Sequence, residues 1–209
     1  MKKRLLFVAL VFGLLLTACN RTPAETPNGD TATTTTAPLV GENDGVTYKN
    51  AHFGIAFAPA DGWDLFDADE IADRNLPILA IDEGENYADA VNRAKEFYDM
   101  YAVQESTGNT IAVRVENMAT MYESVLTAEE YRNIQLSMLE GIPSLVAEPF
   151  TATVDGKEFP GMKVLWGEGD DVQTDVSVYV IKDTYMLSID LSSTDGDHTA
   201  DWLSWFDLL

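Results

Sequence analysis

Carboxylates are the most abundant side chains in this sequence that can do chemistry. Acidic residues outnumber basic ones by 35 to 13, and many of them gather in three runs. The runs are Asp61, Asp64, Asp67, Asp69, Glu70 and Asp73; Asp82, Glu83 and Glu85; and Glu168, Asp170 and Asp171. Oxygen-rich loops of this kind can bind Ca²⁺, but no run has the ligand spacing of an EF-hand. We therefore predict a solvated acidic surface and no metal site.

Histidine and serine side chains near the carboxyl end are the second group of candidates. Hydroxyl and carboxyl groups surround His198, namely Ser192, Ser193, Asp195 and Asp197. These are the residue types of a nucleophilic triad, although neighbours in sequence rarely assemble one. The sequence has no nucleophile elbow, zinc-protease motif, phosphate loop or dinucleotide fingerprint. We predict no catalytic residues and no cofactor, and the alternative is a hydrolase with paired carboxylates, which also needs a substrate cleft.

The single cysteine, Cys19, follows a segment with the three parts of a secretory signal. Residues 2–4 are basic, residues 5–16 are apolar, and Thr17 and Ala18 are small. The apolar part has about a dozen residues, whereas a helix needs roughly 20 to cross a hydrocarbon core. The segment is therefore typical of a cleaved signal rather than of a permanent membrane span.

The ending Leu16-Thr17-Ala18-Cys19 resembles the lipobox of bacterial lipoproteins. The resemblance implies diacylglycerol on the Cys19 sulfur, signal-peptidase cleavage between Ala18 and Cys19, and often acylation of the new amino terminus, with palmitate among the acyl chains. Two or three such chains hold a protein on a bilayer, because each buried methylene contributes about 0.8 kcal/mol. The alternative is an ordinary signal peptide with a cysteine near its cleavage site by chance. We predict a lipid anchor on the extracytoplasmic face of a bacterial cell membrane.

The charge of the mature chain excludes one class of partner. Cleavage before Cys19 removes three of the 13 basic residues and none of the 35 acidic ones, which leaves ten against 35 and a net charge of -25. Nucleic acids and anionic lipid head groups are bound mainly by Lys and Arg. We expect no nucleic-acid partner. Acylation of Cys19 would also leave no thiol for a disulfide or a metal.

The composition divides the chain into three parts. Residues 1–18 are the predicted signal, and residues 19–45 combine the anchor with a Thr-, Pro- and Ala-rich stretch that has too few large apolar residues to fold. Residues 46–209, about 164 in number, are long enough for one domain. We predict a disordered tether followed by a single globular domain, and we expect a monomer.

Alternating apolar residues predict that strands dominate the domain. Ile111, Val113 and Val115 alternate with small or polar residues, and two such runs flank residues 182–184 as a hairpin. Helix starts are predicted at Asp67 and at Thr127, each followed three residues later by a glutamate. The helix that starts at Thr127 is predicted to have one apolar stripe, formed by Ala128, Tyr131, Ile134 and Met138. A last helix is predicted to bury a second stripe, formed by Trp202, Trp205, Phe206 and Leu209. This order predicts an α/β fold, a mostly antiparallel sheet covered by helices.

The start of the domain is similar to PsbP-like domains. Tyr48-Lys49-Asn50, Phe53-Gly54-Ile55-Ala56-Phe57 and Pro59-Ala60-Asp61-Gly62-Trp63 follow the opening pattern of that family with one extra residue, Ala60. The "DMYA" at 99–102 and "TGN" at 107–109 also resemble acidic lipoproteins of Gram-positive anaerobes. The resemblance implies an α/β/α sandwich that serves as a scaffold for partner contacts. The same opening residues also have a structural explanation, as a strand that ends at Pro59 and turns at Gly62.

These features together predict a function without catalysis. We expect a membrane-anchored extracytoplasmic lipoprotein that acts as a binding or interaction module. Its partners are the membrane, through the lipid on Cys19, and an unidentified protein or envelope ligand. The alternatives are an envelope hydrolase using carboxylates and a Ca²⁺-binding surface protein.

Overall fold

A seven-stranded antiparallel sheet is the main element of the computed structural model, which describes residues 38–81, 85–167 and 172–209. Its strands are β4 (Asp64–Leu65), β5 (Glu96–Gln104), β6 (Asn109–Asn117), β7 (Leu145–Val154), β8 (Lys157–Trp166), β9 (Gln173–Lys182) and β10 (Tyr185–Ser193). They lie in the order β4-β5-β6-β10-β9-β8-β7. A smaller sheet has the order β1-β2-β3-β11, formed by β1 (Glu42–Asn43), β2 (Tyr48–Asn50), β3 (Ile55–Phe57) and β11 (Phe206–Leu208).

Five helices accompany these sheets within the described residues. They are α1 (Ala68–Leu79), α2 (Tyr87–Arg93), α3 (Met118–Met121), α4 (Ala128–Leu139) and α5 (Thr199–Leu203). Helix α4 packs on β7, β8 and β9, and α1 packs on β5. The predicted fold class, a mostly antiparallel sheet covered by helices, is confirmed.

The two faces of the large sheet bury different side chains. On one, here called the core face, Val113, Val115 and Ile189 pack with residues of the small sheet in the main apolar cluster. On the other, here called the α4 face, Tyr131 of α4 packs with Tyr179 and other sheet residues in a second cluster. The alternation of apolar residues thus determines the core face, since successive side chains of a strand point to opposite sides.

Both predicted capping boxes are confirmed. Asp67 accepts hydrogen bonds from the backbone of α1, and Glu70 closes the box; Thr127 and Glu130 do the same for α4. The predicted stripe of α4 is only partly correct, because Met138 is 39% exposed. Leu136 and Leu139 pack against the sheet together with Tyr131, so the buried side of the helix is rotated from the predicted one.

The carboxyl end differs from the predicted helix. Helix α5 ends at Leu203, and the chain then pairs with β3 as β11, with Phe206 opposite Phe57. Trp202 and Phe206 are nevertheless buried, as predicted, whereas Leu209 is 64% exposed. The open edge of β3 can form backbone hydrogen bonds with residues 206–208, and these bonds would be lost if the helix continued. The spacing of apolar residues near the carboxyl end does not predict this pairing, because β3 is distant in sequence.

The folded unit extends on the amino-terminal side of Val46. Strand β1 pairs with β2, and the backbone N–H of Gly41 donates to the Asp99 carboxylate at 2.9 Å. Asp99 also accepts from the Tyr48 hydroxyl at 2.5 Å and from the Asn50 amide at 2.7 Å. Burial raises the pKa of Asp99, and these hydrogen bonds oppose the rise. A buried carboxylate that needs donors therefore holds residues that sequence composition places in the tether.

Candidate functional site

An open groove of about 510 Å³ lies on the α4 side of the large sheet, beside the amino terminus of α4. We call it the β8–β9 groove. Its lining comes from the segment before α4 and its first turn, from the start of β8 and from the end of β9: Val125, Leu126, Thr127, Ala128, Glu129, Lys157, Phe159, Pro160, Tyr179, Val180 and Ile181. Most of these side chains are apolar or aromatic, as is common in ligand and partner sites.

The groove exists because two neighbouring strands stop pairing. The register between β8 and β9 begins at Trp166 opposite Gln173 and ends at Gly161 opposite Val178. The next residue on β8 is Pro160, which has no N–H to donate to a ladder. At Gly161, a Cβ atom would collide with the carbonyl oxygen of Ser177, so glycine allows the two strands to approach closely up to that point. The register between β8 and β9 ends there, while β8 continues to pair with β7 and β9 continues to pair with β10.

Aromatic rings form the inner side of the groove. Tyr179 contacts Tyr131 of α4 edge to face, with ring centroids 4.9 Å apart, and Tyr131 contacts Tyr122 at 6.1 Å. The capping box at Thr127 fixes the entry of α4, which brings Val125 and Leu126 to the groove wall. Val125 is 44% exposed, so the wall presents apolar surface to solvent.

The groove lining includes one basic and one acidic side chain. Lys157 is exposed, and its ammonium lies over the Phe159 ring, 5.0 Å from the ring centroid. No described carboxylate forms an ion pair with it. Glu129, on the first turn of α4, is the acidic residue of the lining. The groove therefore carries both signs of charge around an apolar centre.

A buried polar cluster lies deeper on the same face of the sheet. Arg114 donates to Asp190 at 2.7 Å and forms an ion pair with Glu96 at 3.7 Å. Glu116 accepts a hydrogen bond of 2.8 Å from the Tyr131 hydroxyl and is only 4% exposed. Burial raises the pKa of Glu116 to about 7, although Arg114 and the Tyr131 hydrogen bond act in the opposite direction.

The acids with raised pKa values do not line the groove. Burial raises the pKa of Asp99, of Asp175 and of Glu116, and all three lie outside the groove lining. Acid–base catalysis needs such a group within hydrogen-bond reach of a bound substrate. The described geometry instead uses these carboxylates as hydrogen-bond acceptors inside the fold.

The residues around His198 do not form a triad. The His198 imidazole lies 3.2 Å from Asp195, but Ser193 donates its hydroxyl to the same Asp195 rather than to His198. The ring of His198 stacks on Trp202, with centroids 5.4 Å apart. Asn109, from the "TGN" sequence, also donates to Asp195 at 2.9 Å. These contacts close a loop at one end of the sheet, with no serine held for proton transfer to the imidazole.

The acidic runs are divided among several roles. In the first run, Asp67 and Glu70 form the capping box of α1. Glu85 forms an ion pair with Arg93, while Asp82, Glu83 and the third run lie outside the described residues. Over the parts of the chain that the structure describes, no three His, Cys, Asp or Glu side chains are grouped to hold a metal ion.

The predicted lipidation residue, Cys19, and the cleavage residue Ala18 also lie outside the described residues. Sequence reasoning did not single out Asp99, Glu116 or the β8–β9 groove. The sequence does contain an indication that Asp99 and Glu116 are buried, because each is a carboxylate within a strand rich in apolar residues. A weaker indication of the groove is Pro160, because a proline within a strand pattern suggests that pairing is interrupted there.

Comparisons with known proteins yield structural likeness alone. No family model matches the chain, and no curated protein matches it. Among solved structures, the solution structure of cyanobacterial PsbP from Synechocystis sp. PCC 6803 is 16% identical, with a TM-score of 0.42, covering 88% of this chain and 100% of that one. The crystal structure of LpqN, a protein involved in cell envelope biogenesis of Mycobacterium tuberculosis, is 13% identical, with a TM-score of 0.38, covering 71% of this chain and 75% of that one. At these scores the likeness does not identify a function for this chain.

Proposed function

We propose that this chain is a membrane-anchored extracytoplasmic lipoprotein whose folded part is a non-catalytic binding module. The observation that carries the binding role is the β8–β9 groove, where exposed apolar surface lies beside Lys157, which has no ion-pair partner among the described residues. Concave sites lined mainly by apolar and aromatic side chains, with a few polar groups, are the usual form of a binding site. The acids with raised pKa values lie elsewhere, which supports binding over catalysis at this surface.

The anchor in this proposal is Cys19. Support comes from the basic, apolar and small residues that precede it and from the Thr-, Pro- and Ala-rich residues that follow it as a tether. Among the helices that the structure describes, none is long and apolar enough to cross a membrane. In this proposal, lipid on Cys19 attaches the chain to the bilayer, with the domain on the extracytoplasmic side.

Fatty-acid labelling tests the anchor. We expect Cys19→Ala to abolish incorporation of labelled palmitate and to leave the unprocessed precursor, because the acceptor sulfur is gone. Asn20→Ala is the matched control, since it changes the adjacent residue and keeps the sulfur. Equal labelling of Cys19→Ala and of the unmodified chain would reject the lipid anchor.

Site-specific photo-crosslinking tests the binding role. A photoreactive residue at Val125, on the groove wall, should give a discrete adduct in intact cells. The same residue at Val46, which is 70% exposed and lies outside the groove lining, should give none. Adducts of equal yield at both positions, or none at either, would contradict a partner site at the groove.

A further inference from the structure

The β8–β9 groove has a free strand edge along one side. In the β9–β10 hairpin, Lys182 lies opposite Tyr185 across a two-residue turn. Backbone groups alternate in direction along an antiparallel pair, and the residues that flank such a turn bond to each other. The N–H and C=O of Ile181 therefore point away from β10, toward the groove. Pro160, opposite Tyr179 in the extended register, supplies no N–H on the other side.

The N–H and C=O of Ile181 limit the kinds of molecule that can bind in the groove. Unpaired N–H and C=O groups at a strand edge are satisfied best by another extended chain, which forms a ladder with them. A helix or a lipid chain would cover the apolar wall but leave the Ile181 groups without a partner. The groove thus fits an extended peptide better than either of these.

The side chains that line the groove indicate which side chains the bound peptide should have. Val125, Leu126 and Ile181 offer an apolar surface for every second residue of a strand, since alternate side chains of a strand share one face. Lys157 has no carboxylate partner among the described residues, and its ammonium lies over the ring of Phe159, which also lines the groove. Charge complementarity favours an acidic residue of the ligand at that position.

We propose that the β8–β9 groove receives an extended peptide segment of a partner protein, which pairs with the β9 edge at Ile181. The segment places apolar side chains against Val125 and a carboxylate near Lys157. This inference rests on the proposed function, because it names the kind of partner that the same groove binds.

Peptide selection provides the test. The full-length chain in detergent micelles is presented to a displayed library of random decapeptides, and the enriched peptides are synthesised. Each is made again with N-methyl groups at alternate residues, in the two possible frames. We expect one frame to weaken binding about tenfold or more and the other to have little effect, because only one set of N–H groups faces β9.

Matched variants of the protein locate the site. Val125→Asp and Lys157→Glu should each weaken binding about five- to tenfold, whereas Val46→Asp and Lys49→Glu, which make the same changes at exposed positions outside the groove lining, should not. Circular dichroism confirms that each variant is folded. Failure to enrich any peptide, equal effects of both N-methyl frames, or binding that survives Val125→Asp would overturn the proposal. So would a dimer of the chain that Val125→Asp dissociates.

The crosslinking experiment separates this inference from the function on which it rests. If Val125 still gives a specific adduct in cells while no peptide pairs with β9, the binding module stands and the strand-pairing mode is wrong. If neither result is obtained, both proposals are wrong.

Discussion

At the scale of single residues, Glu116 has the environment with the clearest thermodynamic consequence. It is enclosed by charged and phenolic groups from several elements, namely Arg114 on β6, Glu96 on β5, Asp190 on β10, Tyr131 on α4, and Tyr122 and Tyr179 nearby. Burial raises the pKa of Glu116 from 4.5 to about 7 in the folded chain. Between these two values, the native state binds more protons at this site than the unfolded state does. The contribution of Glu116 therefore lowers the free energy of unfolding as the pH rises from about 4.5 to about 7, and it is constant above that.

Replacement of Glu116 by glutamine tests this coupling. Glutamine keeps an oxygen to accept from Tyr131 but carries no charge, so we expect Glu116→Gln to raise the free energy of unfolding by roughly 1–3 kcal/mol at pH 8. At about pH 4.5, where the native glutamate is already protonated, the gain should largely disappear. Urea unfolding at both pH values measures the difference between variant and native chain.

The control for this variant is Glu129→Gln, which removes the same charge from an exposed position on α4. Its effect should be small at both pH values, since exposed charges contribute little. A Glu116→Gln gain that is the same at pH 4.5 and pH 8 would show that the burial of charge is not the cause.

At the scale of elements, the carboxyl-terminal segment connects the two sheets. Helix α5 contributes Trp202 and Leu203 to the main apolar cluster, and β11 contributes Phe206. Trp202 meets Trp63 edge to face at 5.1 Å, and Phe206 meets Phe57 at 4.6 Å. The opening pattern that resembles PsbP-like domains is thus covered by the last residues of the chain. This packing depends on side chains about 150 positions apart in sequence.

Truncation of Phe206 tests how much this segment stabilises the domain. Phe206 is 2% exposed, so we expect Phe206→Ala to lower the free energy of unfolding by about 3–5 kcal/mol, the usual cost of emptying a buried aromatic site. Removal of residues 199–209 should leave the chain largely unfolded, because typical domains have roughly 5–15 kcal/mol in total. Thermal melts followed by circular dichroism measure both effects.

Leu209→Ala is the companion control, since Leu209 is 64% exposed and should tolerate the change. If the chain without residues 199–209 melts at the native temperature, α5 and β11 contribute little to the core. The aromatic residues would then be better explained as a surface for partners.

At the scale of the whole molecule, charge sets the behaviour in solution. Ten basic residues face 35 acidic ones after the predicted cleavage. Self-repulsion of this size destabilises the compact state and keeps proteins apart in solution. Two of the basic groups form ion pairs with carboxylates, Arg114 with Asp190 in a partly buried position and Lys163 with Asp197 at the surface. The excess of acidic side chains therefore dominates the charge of the chain, and Lys157 places a basic group at the groove, with no ion-pair partner among the described residues.

Salt and divalent cations test this view of the acidic surface. Raising NaCl from about 0.01 M to about 0.5 M should increase the melting temperature, because screening shortens the range of the repulsion. At equal ionic strength, Ca²⁺ and Mg²⁺ should shift the melting temperature by similar amounts. A much larger shift with Ca²⁺, which binding to the native state would cause, would reveal a selective Ca²⁺ site.

The sequence by itself determined the features that local chemistry controls. Alternation predicted β6 and the β9–β10 hairpin, because a strand with one buried side needs apolar residues at every second position. The glutamates three residues after Asp67 and Thr127 predicted both helix starts, because each capping box is complete within four residues. The residues before Cys19 also predict a secreted and lipid-anchored chain, and this stays a prediction because they lie outside the described residues.

Only the tertiary structure decided which residues meet across the chain. Whether Glu116 is solvated or buried depends on what covers its side of the sheet, and its partner Tyr131 comes from a separate helix. Residues 206–208 form a strand because β3 offers them a free edge, although their local pattern indicates a helix. The β8–β9 groove requires Pro160, the approach at Gly161 and the position of α4 together. Long-range pairing and burial decide such sites, and no local window of sequence contains them.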